Sequence, residues 1–246
     1  MREPRGYNVT PAMGLGLAAT IALGTLVSTW AGLNGTYALQ AAAAYGALAA
    51  IVVFSTAPRQ HPFPRFGAAN YLTMVRAMMM ALVAGLIGDA RSPQLLWPTI
   101  GVVTLVAVLD GVDGWLARRS GMASAFGARF DMETDAALIL ILSILVWEHG
   151  KAGAWVLLCG LMRYAFVAAG WLLPWLAQPL RSTWRGKAVA VVQYIGLATA
   201  LAPIVTPRLS TGVAAATLAA LVWSFAVDVR WLRRGGGETS LVFHDR

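Results

Sequence analysis

The stretch from Gly6 to Pro58 reads GYNVTPAMGLGLAATIALGTLVSTWAGLNGTYALQAAAAYGALAAIVVFSTAP, 53 residues without one Asp, Glu, Lys or Arg. One helical crossing of a bilayer takes about 20 apolar residues. The run is therefore too long for one span and fits two, hinged at Asn34-Gly35. The rest of the chain continues the pattern. Of 246 residues, 58% are hydrophobic and 12% charged, against roughly 25% charged in soluble domains. This composition excludes an ordinary water-soluble enzyme, a disordered chain and a disulfide scaffold. The one cysteine, Cys159, can form neither an internal disulfide nor a thiolate metal cage.

Charge-free windows predict an all-α integral membrane protein with helices near 12–31, 36–57, 70–88, 95–118, 131–148, 152–174, 187–206 and 210–232. A closed barrel would show alternating segments of about ten residues, and these continuous runs do not. Eight spans return the chain to its starting side. With both termini cytoplasmic, 14 of the 19 Lys and Arg fall on inner loops and ends. Only Arg91, Lys151 and Arg208 fall outside, and Arg76 and Arg163 lie within spans. This asymmetry predicts cytoplasmic termini in a bacterial-type inner membrane. The net charge of +8 suits anionic lipid; no basic stretch carries the interleaved aromatics that nucleic acid would need. Two full spans follow Arg5 closely, which argues against a cleaved signal peptide. The expected organisation is a two-helix extension (1–57), an interfacial linker (58–69), a six-helix core (70–234) and a cytoplasmic tail (235–246).

Five of the 11 acids crowd into LDGVDGWLARRSGMASAFGARFDMETDA, residues 109–136. Asp110 and Asp113 are three apart and share one helix face; Asp131 and Asp135, four apart, share another. Glu133 points away from that second face. The loop between the two helices is short, so they are antiparallel neighbours and the Asp pairs can face each other. Asp110 lies eight residues before Arg118, roughly 12 Å along a helix. Four carboxylates this close and partly out of water cannot all stay ionised alone. Either some are protonated or cations bridge them. Oxygen ligands without His or Cys suit Mg²⁺ or Mn²⁺, two of which would cancel the charge, and not Zn²⁺. A purely structural alternative pairs the acids with Arg118, Arg119 and Arg129. Gly114 and Gly127 would let a ligand approach the backbone.

The pattern Asp110-x₂-Asp113-Gly114-x₂-Ala117-Arg118-x₈-Gly127-x₃-Asp131-x₃-Asp135 resembles the signature of the CDP-alcohol phosphotransferase family at every fixed position. The resemblance covers about Asn70 to Arg234. It implies a six-helix membrane enzyme of phospholipid biosynthesis, usually a homodimer, with its active site at the cytoplasmic face. Such enzymes move a phospho-alcohol group from a CDP-alcohol, often CDP-diacylglycerol, to an acceptor hydroxyl and release CMP. The acceptor is a small or a lipid alcohol. By the same resemblance Asp110, Asp113, Asp131 and Asp135 would hold two Mg²⁺ or Mn²⁺, with Asp135 also the general base. Gly114, Ala117, Arg118, Ser124 and Gly127 would line the CDP pocket. Asn70-x₂-Thr73-x₂-Arg76 resembles the family's first core helix, which starts beside the nucleotide. Gly186-Lys187 followed by Gln193 resembles a motif of glycerol-phosphate-using members, although Val189 stands where those carry threonine.

Arg163, deep in an apolar span, needs a partner: an acceptor phosphate or one of the motif acids. Arg181, Arg185 and Lys187 form a basic loop on the same side, readable as an acceptor rim or as topology signals. His61, His149 and His244 stand alone and carry no assigned chemistry. An intramembrane prenyltransferase also carries Asp pairs for a magnesium diphosphate, but not the glycine, alanine and arginine frame seen here. A divalent-cation transporter would place acids near mid-bilayer, whereas these sit toward the cytoplasmic end.

Overall fold

The computed structural model describes residues 8–55, 61–89, 93–176, 178 and 183–234. Arg2, Arg5, Arg59, Arg91, Arg181, His244, the start of the linker (58–60) and the tail (235–246) lie outside the described residues. Among the described residues there are eight α-helices: α1 Thr10–Ala31, α2 Tyr37–Ser55, α3 Ala68–Ala84, α4 Leu96–Ser120, α5 Ala125–Glu148, α6 Leu158–Leu172, α7 Trp184–Leu201 and α8 Pro207–Arg233. Five helical segments are long and apolar enough to cross a membrane: α1, α2, α4, α8, and α6 together with the 3-10 turn before it. The 27 residues of α8 reach about 40 Å at 1.5 Å per residue, more than the roughly 30 Å of a hydrocarbon core. The protein is an all-helical, multi-pass membrane protein.

Proline and glycine set most of the boundaries. Pro11 and Pro207 sit in the first turns of α1 and α8, where a missing N–H costs nothing. Pro98 is tolerated in the first turn of α4 for the same reason. Pro203 ends α7 at Leu201, five residues before the boundary expected from hydropathy. The apolar run of α3 continues to Ile87, yet the helix stops at Ala84 because Gly85 and Gly88 turn the chain, Gly88 with φ +82°. The larger surprise is α5, which starts at Ala125, six residues before the expected 131. The Ser124 hydroxyl accepts the Gly127 N–H at 3.1 Å and caps the helix. Asp131 and Asp135 therefore sit on the second and third turns of α5.

The chain forms two compact units, residues 1–141 and 142–246. In the first, α3 packs against α1, α2 and α4. Helices α1 and α2 are joined through buried small residues and Tyr45, which is 1% exposed and lies over Gly16. The α1–α2 pair also supports the C-terminal end of α3. Tyr37 donates from its hydroxyl to the Leu82 carbonyl at 2.7 Å, and Gln40 donates to the Ile87 carbonyl at 3.2 Å. Carbonyls at a helix end lack intrahelical partners, so these bonds satisfy groups that lipid could not. The described part of the linker is also built in: His61 and Phe66 are buried, and their rings pack with Phe126 at the start of α5.

In the second unit, α7 and α8 form the main contact. Buried Gln193 donates to the Thr217 carbonyl at 2.7 Å, and Ser210 donates to the Ala200 carbonyl at 2.8 Å. Lys151 is buried; its ammonium donates to the Ala202 and Val205 carbonyls at 2.9 and 2.6 Å. A cation at the C-terminal end of α7 suits the helix dipole. Helices α7 and α8 pack tightly at Gly196, where a Cβ would stand 2.0 Å from Cγ2 of Thr217. Gly196→Ala is expected to destabilise the protein by about 1–3 kcal/mol through overpacking. Thr217→Ser in the same chain removes that methyl, keeps the hydroxyl and should recover most of the loss in thermal unfolding in detergent.

Candidate active site

Helices α3 and α4 and the first part of α5, all within the first unit, bring the four motif aspartates onto one cation, and that cation is Arg76. Its guanidinium is 0% exposed. One terminal nitrogen contacts Asp113 at 2.5 Å and Asp131 at 2.6 Å. The other contacts Asp110 at 2.8 Å and Asp135 at 2.5 Å. Thr73, one turn before Arg76, donates its hydroxyl to Asp113 at 3.1 Å. The spacings work as the sequence implied: three residues on α4 and four on α5 aim each pair at the same point. The planar, always-charged guanidinium can serve several carboxylates at once in a way an ammonium cannot.

The carboxylates form a cup with a closed floor and an open mouth. Asp113 is 4% exposed beside the buried guanidinium, whereas Asp110 and Asp131 are 37% and 40% exposed. Asp135 lies between at 25%. Each gives Arg76 one oxygen. With all four ionised, the acids outnumber the single positive charge of Arg76 that they share. Asp110, Asp113 and Asp131 can each offer an oxygen within 4.8 Å of the others. A set of hard oxygen donors with excess negative charge fits a hard divalent cation. Arg129 pairs with Glu133 at 2.9 Å, and Arg119 lies over Trp115 at 5.0 Å. The structural alternative named Arg118, Arg119 and Arg129 as partners of the acids; the shared partner is instead Arg76, which reaches from α3 to acids on both α4 and α5.

Against this cup lies a pocket of about 230 Å³. Its wall includes Asn70, Thr73, Gly114, Ala117, Arg118, Ser124 and Gly127, together with Asp113 and Asp131. Seven of the eight residues expected around a nucleotide thus share one cavity, and the eighth, Arg76, forms the floor of the acid cup. Gly127 has a definite steric reason. A Cβ there would stand 2.6 Å from Asn70 Oδ1 and 3.3 Å from Ser124 Oγ, so its absence lets two polar side chains reach the pocket wall. At Gly114 a Cβ would meet only the flexible end of Arg118, at 3.3 Å, and its absence leaves room in the pocket. Asn70 is itself fixed, donating to the Phe66 carbonyl at 2.5 Å.

The residues expected on the acceptor side belong to the second unit. Arg163 is half-buried on α6. Arg185 is held in place: it donates to Asp228 and to the Ser224 carbonyl at 3.1 Å, and lies over Trp223. It ties the start of α7 to α8. Lys187 is exposed, its ammonium 6.0 Å from the Trp184 ring. Sequence reasoning missed two features, the role of Arg76 as common partner of the four acids and the contact of His61 with Ser124 at 3.1 Å. A buried arginine in an apolar span signalled the first; the second had no local signal.

Residues 66–227 match the CDP-alcohol phosphatidyltransferase family. The match covers more than half of the chain, and the protein belongs to this family. Its relatives include the CDP-diacylglycerol–glycerol-3-phosphate 3-phosphatidyltransferase of Escherichia coli (strain K12), 32% identical over 105 residues, which are 39% of this chain and 56% of that protein. The protein of the same name from Cereibacter sphaeroides is 30% identical over 89 residues, 36% of this chain and 40% of that one. The chain spans about half the length of the curated relatives it matches. No solved structure matches it.

Breaking the cup from its centre is the sharpest structural test. Arg76→Gln leaves four carboxylates without their shared counter-ion, and removal of one partner of a buried ion pair costs about 3–5 kcal/mol. The variant should unfold at clearly lower temperature in chelator, and millimolar Mg²⁺ should restore part of the loss. Equal stability of variant and parent in chelator would show that the cluster does not depend on Arg76.

Proposed function

We propose that the protein transfers a phosphatidyl group from a CDP-diacylglycerol-type donor to an acceptor hydroxyl and releases CMP. The observation that carries this reading is the continuity of the acid cup with a pocket walled by the family's nucleotide positions. Family membership supports it over the prenyltransferase and cation-transport readings. Relatives named for glycerol 3-phosphate support a small phosphorylated alcohol as acceptor. The proposed setting is the cytoplasmic face of a bacterial-type inner membrane, with both termini cytoplasmic, the chain paired as a homodimer and 1–57 an extension of the catalytic core.

In this reading Asp110, Asp113, Asp131 and Asp135 would hold two Mg²⁺ or Mn²⁺ ions. Bound there, such ions supply charge neutralisation for the diphosphate and for the departing phosphate. Arg76 and Thr73 fix the inner oxygens of the acids, so the cup keeps its shape as ligands come and go. Asn70, Ser124 and Arg118 orient the cytidine and its phosphates. The acceptor oxygen forms a bond to the lipid-bearing phosphorus. The bond from that phosphorus to the CMP oxygen breaks, and CMP leaves with the electron pair. Asp135 takes the acceptor proton as general base. Its 25% exposure gives a carboxylate that solvent and acceptor can reach, unlike Asp113 at 4%. We assign the acceptor phosphate to Arg163 and Lys187, with Arg181 six residues before Lys187 in sequence. Arg185 would join only by giving up Asp228.

The experiment is release of CMP from labelled CDP-diacylglycerol by the purified protein, across a panel of glycerol phosphate, inositol phosphate, serine and lipid alcohols. CMP release that depends on one acceptor supports the reading; pyrophosphate release from a prenyl diphosphate, or vesicle uptake of Mn²⁺ without turnover, contradicts it. Asp113→Asn should abolish turnover in a folded protein, because an amide removes one charge from the cup; near-normal turnover would remove Asp113 from the site. Arg163→Ala should raise the acceptor KM about 10- to 150-fold, the loss of a charge-assisted hydrogen bond worth about 1.5–3 kcal/mol. Arg163→Lys should recover only part, since an ammonium lacks the planar fork. Unchanged acceptor kinetics would place the phosphate elsewhere.

A further inference from the structure

His61 precedes the residues that match the family, yet it reaches the pocket wall. It is 2% exposed. Its ring is held by Phe63, Phe66 and Phe126, with centroids 5.8, 6.3 and 5.7 Å away. Nε2 lies 2.8 Å from the Arg65 carbonyl oxygen. A carbonyl oxygen only accepts, so Nε2 carries the hydrogen. In the neutral ring Nδ1 is then an acceptor. Nδ1 faces the Ser124 hydroxyl at 3.1 Å, so that hydroxyl donates its proton to the ring.

The same Ser124 oxygen accepts the Gly127 N–H at 3.1 Å. A serine hydroxyl has one donor and two acceptor capacities. The donor goes to His61 and one acceptor to the helix start. The remaining capacity is a lone pair, on a residue that lines the pocket. We infer that His61 is a positioning residue that fixes Ser124 as a hydrogen-bond acceptor for an N–H or O–H of the nucleotide held in the pocket. The inference rests on the nucleotide reading of the pocket given above. It adds to that reading a specific polarity: without His61 the hydroxyl could turn and present its proton. A turned hydroxyl meets a ligand donor hydrogen to hydrogen.

Two groups of CMP have the required chemistry, the ribose hydroxyls and the exocyclic amine of cytosine. UMP lacks the amine and 2′,3′-dideoxy-CMP lacks both ribose hydroxyls, so these ligands separate the sources. The two positions of the imidazole can be replaced singly. Asn places an amide near Nδ1 and can still accept from Ser124. Gln places its amide near Nε2, keeps the bond to the Arg65 carbonyl and loses Ser124.

The test is CMP binding to the full chain in detergent with Mg²⁺ present, by calorimetry, with thermal unfolding measured alongside. His61→Gln should weaken CMP binding about 2- to 10-fold, the span of one neutral hydrogen bond. His61→Asn should stay within about twofold of the parent. Ser124→Ala should weaken CMP as His61→Gln does, and the double variant should be no weaker than Ser124→Ala alone. Ser124→Ala should also shrink the parent's preference for CMP over UMP or over 2′,3′-dideoxy-CMP, whichever group Ser124 meets. That arm stands even where His61→Gln fails to fold. A role confined to stability would lower the unfolding temperature of His61→Gln while leaving CMP affinity unchanged, and that result would overturn the inference. Multiplying effects in the double variant, or an unchanged preference for both analogues in Ser124→Ala, would overturn it as well. A parent protein that binds no CMP would instead overturn the nucleotide reading itself.

Discussion

The site is built around one buried guanidinium, that of Arg76. An arginine in an apolar helix is costly to place without partners, and four carboxylates at contact distance repel one another. Each problem removes the other when three helices converge. Arg76 gives two terminal nitrogens to four acids at 2.5–2.8 Å, and the acids keep outward oxygens. Asp110, Asp113 and Asp131 can each offer an oxygen within 4.8 Å of the others, a set that could hold a metal ion. A fully neutralised cluster would be inert, and a wholly uncompensated one would not assemble. The packing of α3 against α1, α2 and α4 therefore serves the site directly, since a shift of α3 moves the common counter-ion of all four acids.

The pocket beside the cup follows a related logic of shared constraints. Ser124 starts α5, faces the cavity and meets His61. Gly127 lacks a side chain so that Asn70 and Ser124 can occupy the space. The start of α5 thus sets both the register of Asp131 and Asp135 toward Arg76 and the polar surface offered to a ligand. A helix beginning at 131, as hydropathy suggested, would have placed both acids in its first two turns and left Ser124 on a loop. The early start comes from a serine cap, a local signal that outweighs the polar composition of the first turns.

Much of this was legible in the chain. Charge-free windows located all eight helices, with errors at the ends where Gly85, Pro203 and Ser124 decide by backbone chemistry rather than hydropathy. The spacings of Asp110 with Asp113 and of Asp131 with Asp135 foretold two convergent faces. Seven nucleotide positions expected from resemblance share one cavity. Arg76 was visible as an oddity in an apolar span, but its four partners come from two other helices, the farthest 59 residues away, and no periodicity encodes that. His61 lies 63 residues from Ser124, and a lone histidine in a proline-rich linker gives no sign of which residue it will meet. Arg185, readable as a free basic rim, is instead engaged by Asp228, a pairing that only the approach of α7 to α8 creates.

In the proposed function the acid cup and the adjoining pocket act as one centre for a cation and a cytidine nucleotide. Its most direct test is electron paramagnetic resonance of Mn²⁺ titrated into the purified full chain, with and without CMP. Tight Mn²⁺ sites that are lost in Asp113→Asn are expected, together with a bound-Mn²⁺ spectrum that changes when CMP is added. Mn²⁺ that does not bind, or a bound spectrum indifferent to CMP, would contradict it.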